Sequence, residues 1–540
     1  MGVEMGGSGS GPRRGVRGGR HVPYNGLTRR EMLKLSAAGV IIAPGVGSLL
    51  AACSDKSIDS GGGGDNTNTG PTQLADDFTV DVDTIKIGVV APFSGVFAWL
   101  GDVVNESLDI ALGEINNQMG GFGGAKVEAV RADADVLELA EGTNRAYNEL
   151  ASQDDVSGII WCTALGLDFL FTDVERDQMP IVSVFQDLQL EQKLWPNAGP
   201  QSVFQTLLPF DMALDVVGGY LADDRGYTNT LLVRDSLLTA LYQERVLELY
   251  EETAEKFNLE ALSEVTYTTG AGDPGGIVSQ MEDSNCETAV IVGTPDDTAL
   301  IAKELQARDM DFVGRSAIEA GEFRPQLFGT PANMGEPRWI DLAEGAAKQG
   351  CLTAWHLAGM LYLPNLPIHE MVKNNTPDLK LTGGEESPAD ALWAILQGIR
   401  VAGTAKDRTA IWMGMEQTGE IQFTTLPFEF TEENHLRVRP EEAVLVSPEY
   451  GPEAKSPFTP GPADTDPPYV LGKEWQEGQA NFGYEFGPVQ VVRPTVEINR
   501  EIHPETVDII LEQGYGDQAV KEPPDAVGLD VEMTDNGDLF

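Results

Sequence analysis

Residues 85–115 read IKIGVVAPFSGVFAWLGDVVNESLDIALGEI, and this run sets the fold class of the chain. Its first six residues, 85–90, form a mainly apolar segment short enough for a buried strand, which Pro92 closes. Apolar residues then recur on one face of a helix, at Val104, Leu108, Ala111, Leu112 and Ile115. A buried strand followed directly by an amphipathic helix predicts the first unit of an α/β fold wound around a parallel sheet.

The alternation of strand and helix continues in two similar series. The first series predicts strands at 127–130, 156–162 and 180–185, with helices at 139–150 and 167–176. The second predicts strands at 228–234, 262–268, 288–292 and 312–318, with helices at 242–257, 276–282 and 298–308. A helix at 389–401 and a crossing strand at 419–423 follow. Repeated winding of this kind predicts two α/β lobes of similar plan, each with a parallel sheet covered on both faces.

Length and charge limit the function. With 540 residues the chain is too long for one ordinary core, which favours two lobes plus tails. It carries 36 Lys plus Arg against 85 Asp plus Glu, a formal net charge of −49. Such a surface repels phosphate backbones, so no nucleic-acid partner is expected. Self-repulsion on this scale is tolerable where salt screens it over about 3 Å, which indicates a protein that works in molar salt.

The N-terminal segment has the composition of an export signal. Residues 1–35 hold seven Lys or Arg and two Glu, and 35–52 carry no charge, as in a signal peptide. The alternative, a transmembrane helix, is disfavoured by Gly39, Pro44, Gly45 and Gly47. Arg29 and Arg30 stand in TRREMLK, which resembles a twin-arginine signal. Residues 50–53, LAAC, resemble a lipobox, with Cys53 as the lipid attachment site.

A flexible tether is predicted to follow the signal peptide. Residues 1–52 are predicted to be the signal peptide, and 53–83 a flexible tether rich in Gly, Asn and Thr. A stray cysteine in the leader is the alternative to lipid attachment at Cys53. Together these features predict a protein exported by the twin-arginine route and anchored by lipid to the outer face of a cell membrane.

The body resembles a known family. The motifs that carry the resemblance are Pro92-Phe93-Ser94-Gly95, Gly101-Asp102, Glu114-Ile115-Asn116-Asn117, the Gly-rich turn 120–124, and Arg131-Ala132-Asp133-Ala134-Asp135. From about 84 to 450 the chain is similar to extracellular solute-binding proteins of the branched-chain amino acid ABC transporter type, which are type I periplasmic binding proteins. Its leader resembles that of haloarchaeal lipoproteins.

The resemblance implies two Rossmann-like lobes joined by a hinge of three crossovers, with the ligand in the cleft between them. By resemblance, lobe one takes 84–205 plus 350–415, and lobe two takes 206–345 plus 420–450. Residues 451–540 lie outside the resemblance and hold 11 of the 32 prolines, which predicts an acidic, largely extended C-terminal extension. Within it, 489–492 and 507–511 are apolar enough to dock on the body.

Ligands of open α/β sheets bind beyond the carboxyl ends of the strands, which selects the candidate binding residues. The candidates in lobe one are Ser94, Phe97, Trp99, Thr163, Ala164, Phe185, Gln186 and Asp187. The candidates in lobe two are Thr239, Tyr242, Thr294 and Glu319. Each residue could instead have an ordinary structural role in loop packing or as a helix cap. For Trp99 and Asp187 the structural and the ligand-binding roles are about equally favoured, and for the other candidates the structural role is favoured.

Departures from the family limit the ligand class. By resemblance, members that bind amino acids hold the carboxylate with small hydroxyl residues after the third and fourth strands. Here Ala164 and Leu165 stand about where a hydroxyl is expected, and Phe185 and Asp187 about where Ala and Thr are usual. A carboxylate beside Asp187 would be repelled. An apolar, neutral or cationic ligand therefore fits better than a leucine-like zwitterion.

Enzyme motifs are weak, so no catalytic residue, metal or cofactor is expected. The five His form no His-Glu-x-x-His, the four Cys form no Cys-x-x-Cys, and no Gly-x-Ser-x-Gly elbow occurs in the body. The glycines at 120–124 lack the Gly-x-Gly-x-x-Gly order. Cys162 is interpreted as a small hydrophobe, and a disulfide between Cys286 and Cys351 is left open.

The sequence thus predicts a lipid-anchored receptor that captures a small organic solute, such as an amino acid, amide or amine, and delivers it to an ABC permease. A sensory receptor without a transport role is the alternative within the same class. A surface-anchored hydrolase is the alternative from a different class, and turnover of a trapped compound would favour it. The sequence names neither the ligand nor the permease.

Overall fold

The computed structural model describes residues 78–447 and 490–493. Within that span it leaves out 136–137, 164–166, 186–190, 195–198, 237–244, 269, 271–272, 313–314, 331–332, 335–338, 340–341, 344–345, 347–350, 357–366, 378, 380–384, 426 and 439–442. The predicted signal peptide, Arg29, Arg30, Cys53 and most of the tether and C-terminal extension lie outside the described residues. No helix in the described part combines the length and hydropathy needed to cross a bilayer.

The first sheet has five strands, all parallel, in the order β2-β1-β3-β4-β5. They are β1 Thr84–Ala91, β2 Lys126–Asp133, β3 Val156–Trp161, β4 Ile181–Ser183 and β5 Val203–Gln205. The connecting helices are α1 Ala98–Gly113, α2 Leu139–Ala151, α3 Phe171–Asp177 and α4 Glu191–Leu194. Every residue of β3 is buried, because helices cover both faces of the sheet.

The second sheet has the order β13-β12-β11-β10-β9-β6-β7, with β8 paired to β6. Its strands are β6 Asn229–Asp235, β7 Glu260–Ala261, β8 Val265–Tyr267, β9 Thr288–Val292, β10 Gln326–Gly329, β11 Leu352–His356, β12 Ala443–Ser447 and β13 Gln490–Arg493. Its helices are α5 Phe210–Gly219, α6 Arg245–Lys256, α7 Pro274–Ser284, α8 Pro295–Ala307 and α9 Arg315–Glu319. Strands β6 to β11 pair in parallel, whereas β12 and β13 are antiparallel.

Three late helices return the chain to the first sheet. They are α10 Pro367–Asn375, α11 Glu386–Ala402 and α12 Arg408–Gln417. Their apolar faces share one core with β1 and α1, in which Leu392 and Ile395 of α11 lie with Val104 and Leu108 of α1. The chain therefore passes between the two sheets three times: after β5, after β11 and before β12. Two α/β lobes with mainly parallel sheets and three crossovers are the fold class that the sequence predicts.

Helix ends follow local sequence signals. Asp273 caps α7 by accepting a hydrogen bond from the Gly276 N–H at 2.8 Å. Thr294 caps α8 by accepting from the Asp297 N–H at 3.2 Å. Both helices begin with Pro, which fits the first turn, where its missing N–H has no partner in any case. The capped ends place Asp273 and Thr294 at the carboxyl edge of the second sheet.

Two predicted strands are wrong, and two lobe boundaries move. Residues 419–423, predicted as a crossing strand, form only an isolated bridge between Ile421 and Phe428. Residues 312–318 were predicted as a strand, but 315–319 form the helix α9, and the strand is β10. Only four residues long, β10 is too short for a period to be visible in the sequence. Residues 352–356, predicted in lobe one, form β11 of the second sheet. Residues 421–430, predicted in lobe two, bury Phe423 and Phe430 in the core of lobe one.

Two further predictions have outcomes in the described chain. The apolar segment 489–492 was predicted to dock on the body, and β13 pairs with β12 as the last strand of the second sheet. The disulfide between Cys286 and Cys351 is not formed, because both residues are free and buried. Their thiols lie against the backbone carbonyls of Met281 and Ala346.

Candidate functional site

The loop after β1 is held by a carboxylate of the neighbouring strand. The Ser94 hydroxyl donates to Asp133 Oδ2 at 2.5 Å, while Asp133 Oδ1 accepts from the backbone N–H groups of Phe93 and Ser94. Gly95 follows with φ +78°, and a Cβ atom there would lie 2.7 Å from Asp135. The Ser94 hydroxyl is thus used to fix the loop.

The loop after β3 presents a different hydroxyl. Thr163 is almost fully buried, and its Oγ1 has no hydrogen-bond partner in the described part of the chain. Cys162 beside it is also buried, and burial raises the pKa of its thiol well above the ordinary value. A buried hydroxyl without a partner is costly, which makes Thr163 Oγ1 a group that a ligand at this edge could satisfy.

Aromatic side chains supply the apolar part of the first edge. Phe97 is buried directly before α1, Trp99 is the half-buried second residue of α1, and Phe185 follows β4. Phe185 is partly buried against the core of lobe one, and its carbonyl accepts from the Ser183 hydroxyl at 3.0 Å. The first edge therefore combines apolar surface with one unused hydroxyl.

The carboxyl edge of the second sheet is polar and acidic. Asp235 ends β6 with no exposed surface. Thr294 donates from Oγ1 to Asp297 Oδ2 at 2.9 Å, and burial raises the pKa of Asp297, although the Thr294 hydroxyl and the Gly270 N–H oppose that shift. A crevice of about 200 Å³ lies beside these groups, lined in part by Tyr267, Asp273 and Asp297. Asp273 and Asp297 already accept hydrogen bonds at helix ends, so they do not mark a separate ligand site.

One candidate binding residue of lobe two does not lie where it was predicted, and two buried polar residues near this edge are not indicated by the sequence. Glu319 was predicted to follow a strand, but it is exposed at the end of α9, before β10. The turn after β10 instead holds Thr330 and Asn333, both buried. Asn333 Oδ1 accepts from the Thr330 N–H at 2.7 Å, and its amide donates to the Ile291 carbonyl at 2.8 Å. A buried Asn that ties β9 to β10 gives no periodic signal in a sequence.

The family comparison agrees with this architecture. A family model described as periplasmic binding protein matches residues 84–355, slightly more than half of the chain. The chain belongs to the periplasmic binding protein family. This family consists of solute-binding proteins that are generally not enzymes. No curated protein sequence matches the chain significantly.

Solved structures of other periplasmic binding proteins share the fold. An extracellular ligand-binding receptor from Rhodopseudomonas palustris HaA2 is 17% identical, with a TM-score of 0.56, covering 67% of this chain and 97% of its own. A fatty acid ABC transporter substrate-binding protein from Thermomonospora curvata is 18% identical, with a TM-score of 0.55, covering 69% and 91%. The branched-chain amino acid transporter substrate-binding protein of Streptococcus pneumoniae, solved with isoleucine, is 15% identical, with a TM-score of 0.54, covering 76% and 100%. At such identities the likeness establishes the fold alone.

Several predicted site residues of this binding protein lie outside the described residues. They are Ala164, Gln186, Asp187, Thr239 and Tyr242. The structure places Ser94, Phe97, Trp99, Thr163 and Phe185 after the strands of the first sheet, and Thr294 after β9 of the second. Of these, Ser94 and Thr294 have hydroxyls already used by Asp133 and Asp297. Their role in binding stays a prediction.

A buried polar group that the sequence does not reveal lies next to the ends of β5 and β11, where His356 ends β11 and the Arg437 N–H donates to the carbonyl of Gln205, the last residue of β5. We call it the hinge cluster, and its members are His356, Glu386, Asp390, Thr424, Thr425 and Arg437. Asp390 Oδ2 lies 3.1 Å from Arg437 Nη2, and both side chains are buried. His356 Nε2 lies 3.7 Å from Glu386 Oε1, again with both side chains buried.

The electrostatics of the hinge cluster follow from burial. Burial raises the pKa of Glu386 well above its ordinary value; Glu385 and Asp390 add to that shift, and Arg437 opposes it. Burial also lowers the pKa of His356 well below its ordinary value, with a further contribution from Arg437. Glu386 and His356 are therefore both held toward their uncharged forms in this structure.

Proposed function

We propose that the protein is the ligand-capturing component of an ABC importer, and that it traps a small organic solute between its two lobes. The observation that carries this proposal is the pairing of two α/β lobes through three crossovers. Such a linkage lets the lobes rotate toward each other, and a ligand that contacts both carboxyl edges favours the closed form by its differential affinity.

The groups at the two edges support an uncharged or cationic ligand with an apolar body. Phe97, Trp99 and Phe185 provide apolar surface at the first edge, and Thr163 provides a hydroxyl. Asp235 and Asp297 place two buried carboxyl groups at the second edge, which favours a ligand group that donates hydrogen bonds over a free carboxylate on that side. The compared proteins, titled for fatty acid and for branched-chain amino acid transport, take chemically different ligands on the same fold, so the ligand class rests on the side chains.

The leader supports export and anchoring. Arg29 and Arg30 stand at the offset of a twin-arginine signal, and Cys53 ends a lipobox-like segment. A lipid on Cys53 and a Gly-rich tether would hold the lobes beside the permease while leaving them free to reorient. Replacement of Cys53 by Ser is expected to release the protein from the membrane fraction, and unchanged membrane association would contradict the anchor.

Mass spectrometry of the natively purified protein tests the proposal. Protein prepared in molar KCl without refolding is expected to release one small compound unchanged. A thermal-shift panel of leucine, its amide and the corresponding amine then tests the ligand class. Stabilisation by leucine alone would contradict the class, and conversion of the trapped compound would contradict a binding function in favour of a hydrolase.

A further inference from the structure

The hinge cluster contains a contact between titratable side chains of the two lobes. His356 is the last residue of β11 in the second sheet, and Glu386 begins α11, which packs on lobe one. Their closest atoms are 3.7 Å apart, and neither residue has more than 1% of its surface exposed. The chain leaves the second sheet after His356 and reaches α11 by way of α10, so the contact joins an element of each lobe.

Three other charged residues face the contact: Asp390, Glu385 and Arg437. Asp390 of α11 pairs with Arg437 at 3.1 Å and also accepts hydrogen bonds from the Thr424 and Thr425 hydroxyls at 2.7 and 2.9 Å. Glu385 precedes Glu386, and its carbonyl accepts from the Ser107 hydroxyl of α1. Arg437 acts electrostatically on both members of the pair, and Glu385 and Asp390 act on Glu386.

The buried arrangement leaves polar atoms unsatisfied. Glu386 Oε2 and the Nε and Nη1 atoms of Arg437 are buried and have no hydrogen-bond partner in the portion of the chain that the structure describes. Each such atom has lost its hydration without a replacement. An arrangement that admits water at the hinge would satisfy all three atoms.

We propose that the His356–Glu386 contact is a proton-operated latch, kept while the pair holds one proton and released, with opening of the hinge, when that proton leaves. The inference rests on the proposed function, because it assigns a regulator to the same lobe closure. It concerns the hinge and not the ligand-binding residues.

The pKa directions give the sign of the effect. In water, His356 titrates near its ordinary pKa of 6.5 and Glu386 near 4.5. Between pH 4.5 and 6.5 the hydrated pair holds one proton, on His356. The buried pair also holds one proton, on Glu386. Closure in this range therefore takes up no proton from solution. Above pH 6.5 the hydrated pair has lost its proton, whereas burial, which raises the pKa of Glu386, favours its retention in the buried pair. Closure then takes up one proton, and the closed-to-open ratio falls by up to about tenfold per pH unit.

The test measures the distance between lobes in the ligand-free full chain. Fluorophores are attached at Glu175→Cys on α3 and Asp283→Cys on α7, both exposed, in a Cys53→Ser background. The remaining cysteines are buried. The wild-type hinge is expected to keep a constant closed fraction from about pH 5 to 6.5 and to open progressively above that. Glu386→Gln, whose amide mimics the protonated acid, is expected to show no opening up to pH 9.

Two further variants keep the result interpretable. His356→Asn is expected to move the start of opening from about pH 6.5 to about 4.5, because the hydrated pair then loses its proton at the ordinary pKa of Glu386. Glu416→Gln is the matched control, because it alters a second His–Glu pair, His435–Glu416 at 2.9 Å, which lies wholly within lobe one. This variant is expected to keep the wild-type dependence of the interlobe distance on pH.

A pH-independent distance in the wild type, or opening that persists unchanged in Glu386→Gln and His356→Asn, would overturn the latch. Neither result bears on the proposed function, which the mass spectrometry of bound ligand tests separately. A chain that opens with pH as expected but carries and binds no solute would leave the latch in place and overturn the transport role.

Discussion

Asp390→Asn should destabilise the protein by about 3–5 kcal/mol, although it changes few atoms. The Asp390 carboxylate is fully buried, accepts three hydrogen bonds, from the Thr424 N–H and the Thr424 and Thr425 hydroxyls, and forms an ion pair with Arg437. An asparagine can still serve Thr424 with its carbonyl oxygen, but its NH₂ group then faces Arg437. Because Arg437 Nε and Nη1 have no partner among the described residues either, the cation is left buried without a counter-charge.

Urea unfolding in a fixed concentration of KCl measures this cost, provided that the dependence on urea is the same in both proteins. Glu304→Gln in α8 is the control, since it breaks an i,i+4 pair with Arg308 that is partly exposed, and it should cost only about 0.5 kcal/mol. Replacing both partners, as Asp390→Asn with Arg437→Met, should recover part of the loss because no buried charge remains. A loss below about 1 kcal/mol for Asp390→Asn, or a double variant as unstable as the sum of the singles, would refute the reasoning.

Three further outcomes are expected. Thr163→Val should raise the free energy of unfolding by about 1 kcal/mol, because the buried hydroxyl has no partner among the described residues, and should weaken ligand binding about fivefold in calorimetry; equal affinity would remove Thr163 from the site. The thiols of Cys162, Cys286 and Cys351 should resist a maleimide in the native state at pH 8, since burial raises their pKa values, to about 12 for the last two; rapid labelling would contradict their burial. Deletion of 448–540 should speed amide exchange in β12, which loses its pairing with β13, and unchanged protection would contradict that pairing.

The sequence predicts the winding well because burial on both faces leaves a strong local signal. The strand predicted at 85–90 is the centre of β1, and the helix predicted at 389–401 is the centre of α11. The signal fails where elements are short. Phe312 and Ile318 suggested a strand, but the strand is the four-residue β10, which lies between Pro325 and Pro331.

The hinge cluster could not be predicted from the sequence for a different reason. His356, Asp390 and Arg437 are separated by tens of residues, and each stands in a segment without a motif. Their meeting depends on the return of α11 to lobe one and on the way residues 435–437 run beside β5, with the Arg437 N–H donating to the Gln205 carbonyl at 2.9 Å. Conversely, Ser94 was predicted as a ligand residue from its place after β1, but only the structure shows that its hydroxyl is bound to Asp133.

The burial of two arginines relates the acidic composition of the chain to the proposed closure of its lobes. With 36 Lys and Arg against 85 Asp and Glu, cations are scarce, yet Arg234 and Arg437 are buried, paired with Glu264 and Asp390. Cations placed inside the lobes cannot neutralise exposed carboxylates, so the proposed closure would work against repulsion between acidic surfaces. Salt reduces that repulsion between exposed groups but hardly reaches a buried pair. Proton uptake at Glu386 removes one negative charge at the pivot itself, where salt does not act, and the two effects can therefore control the same motion independently.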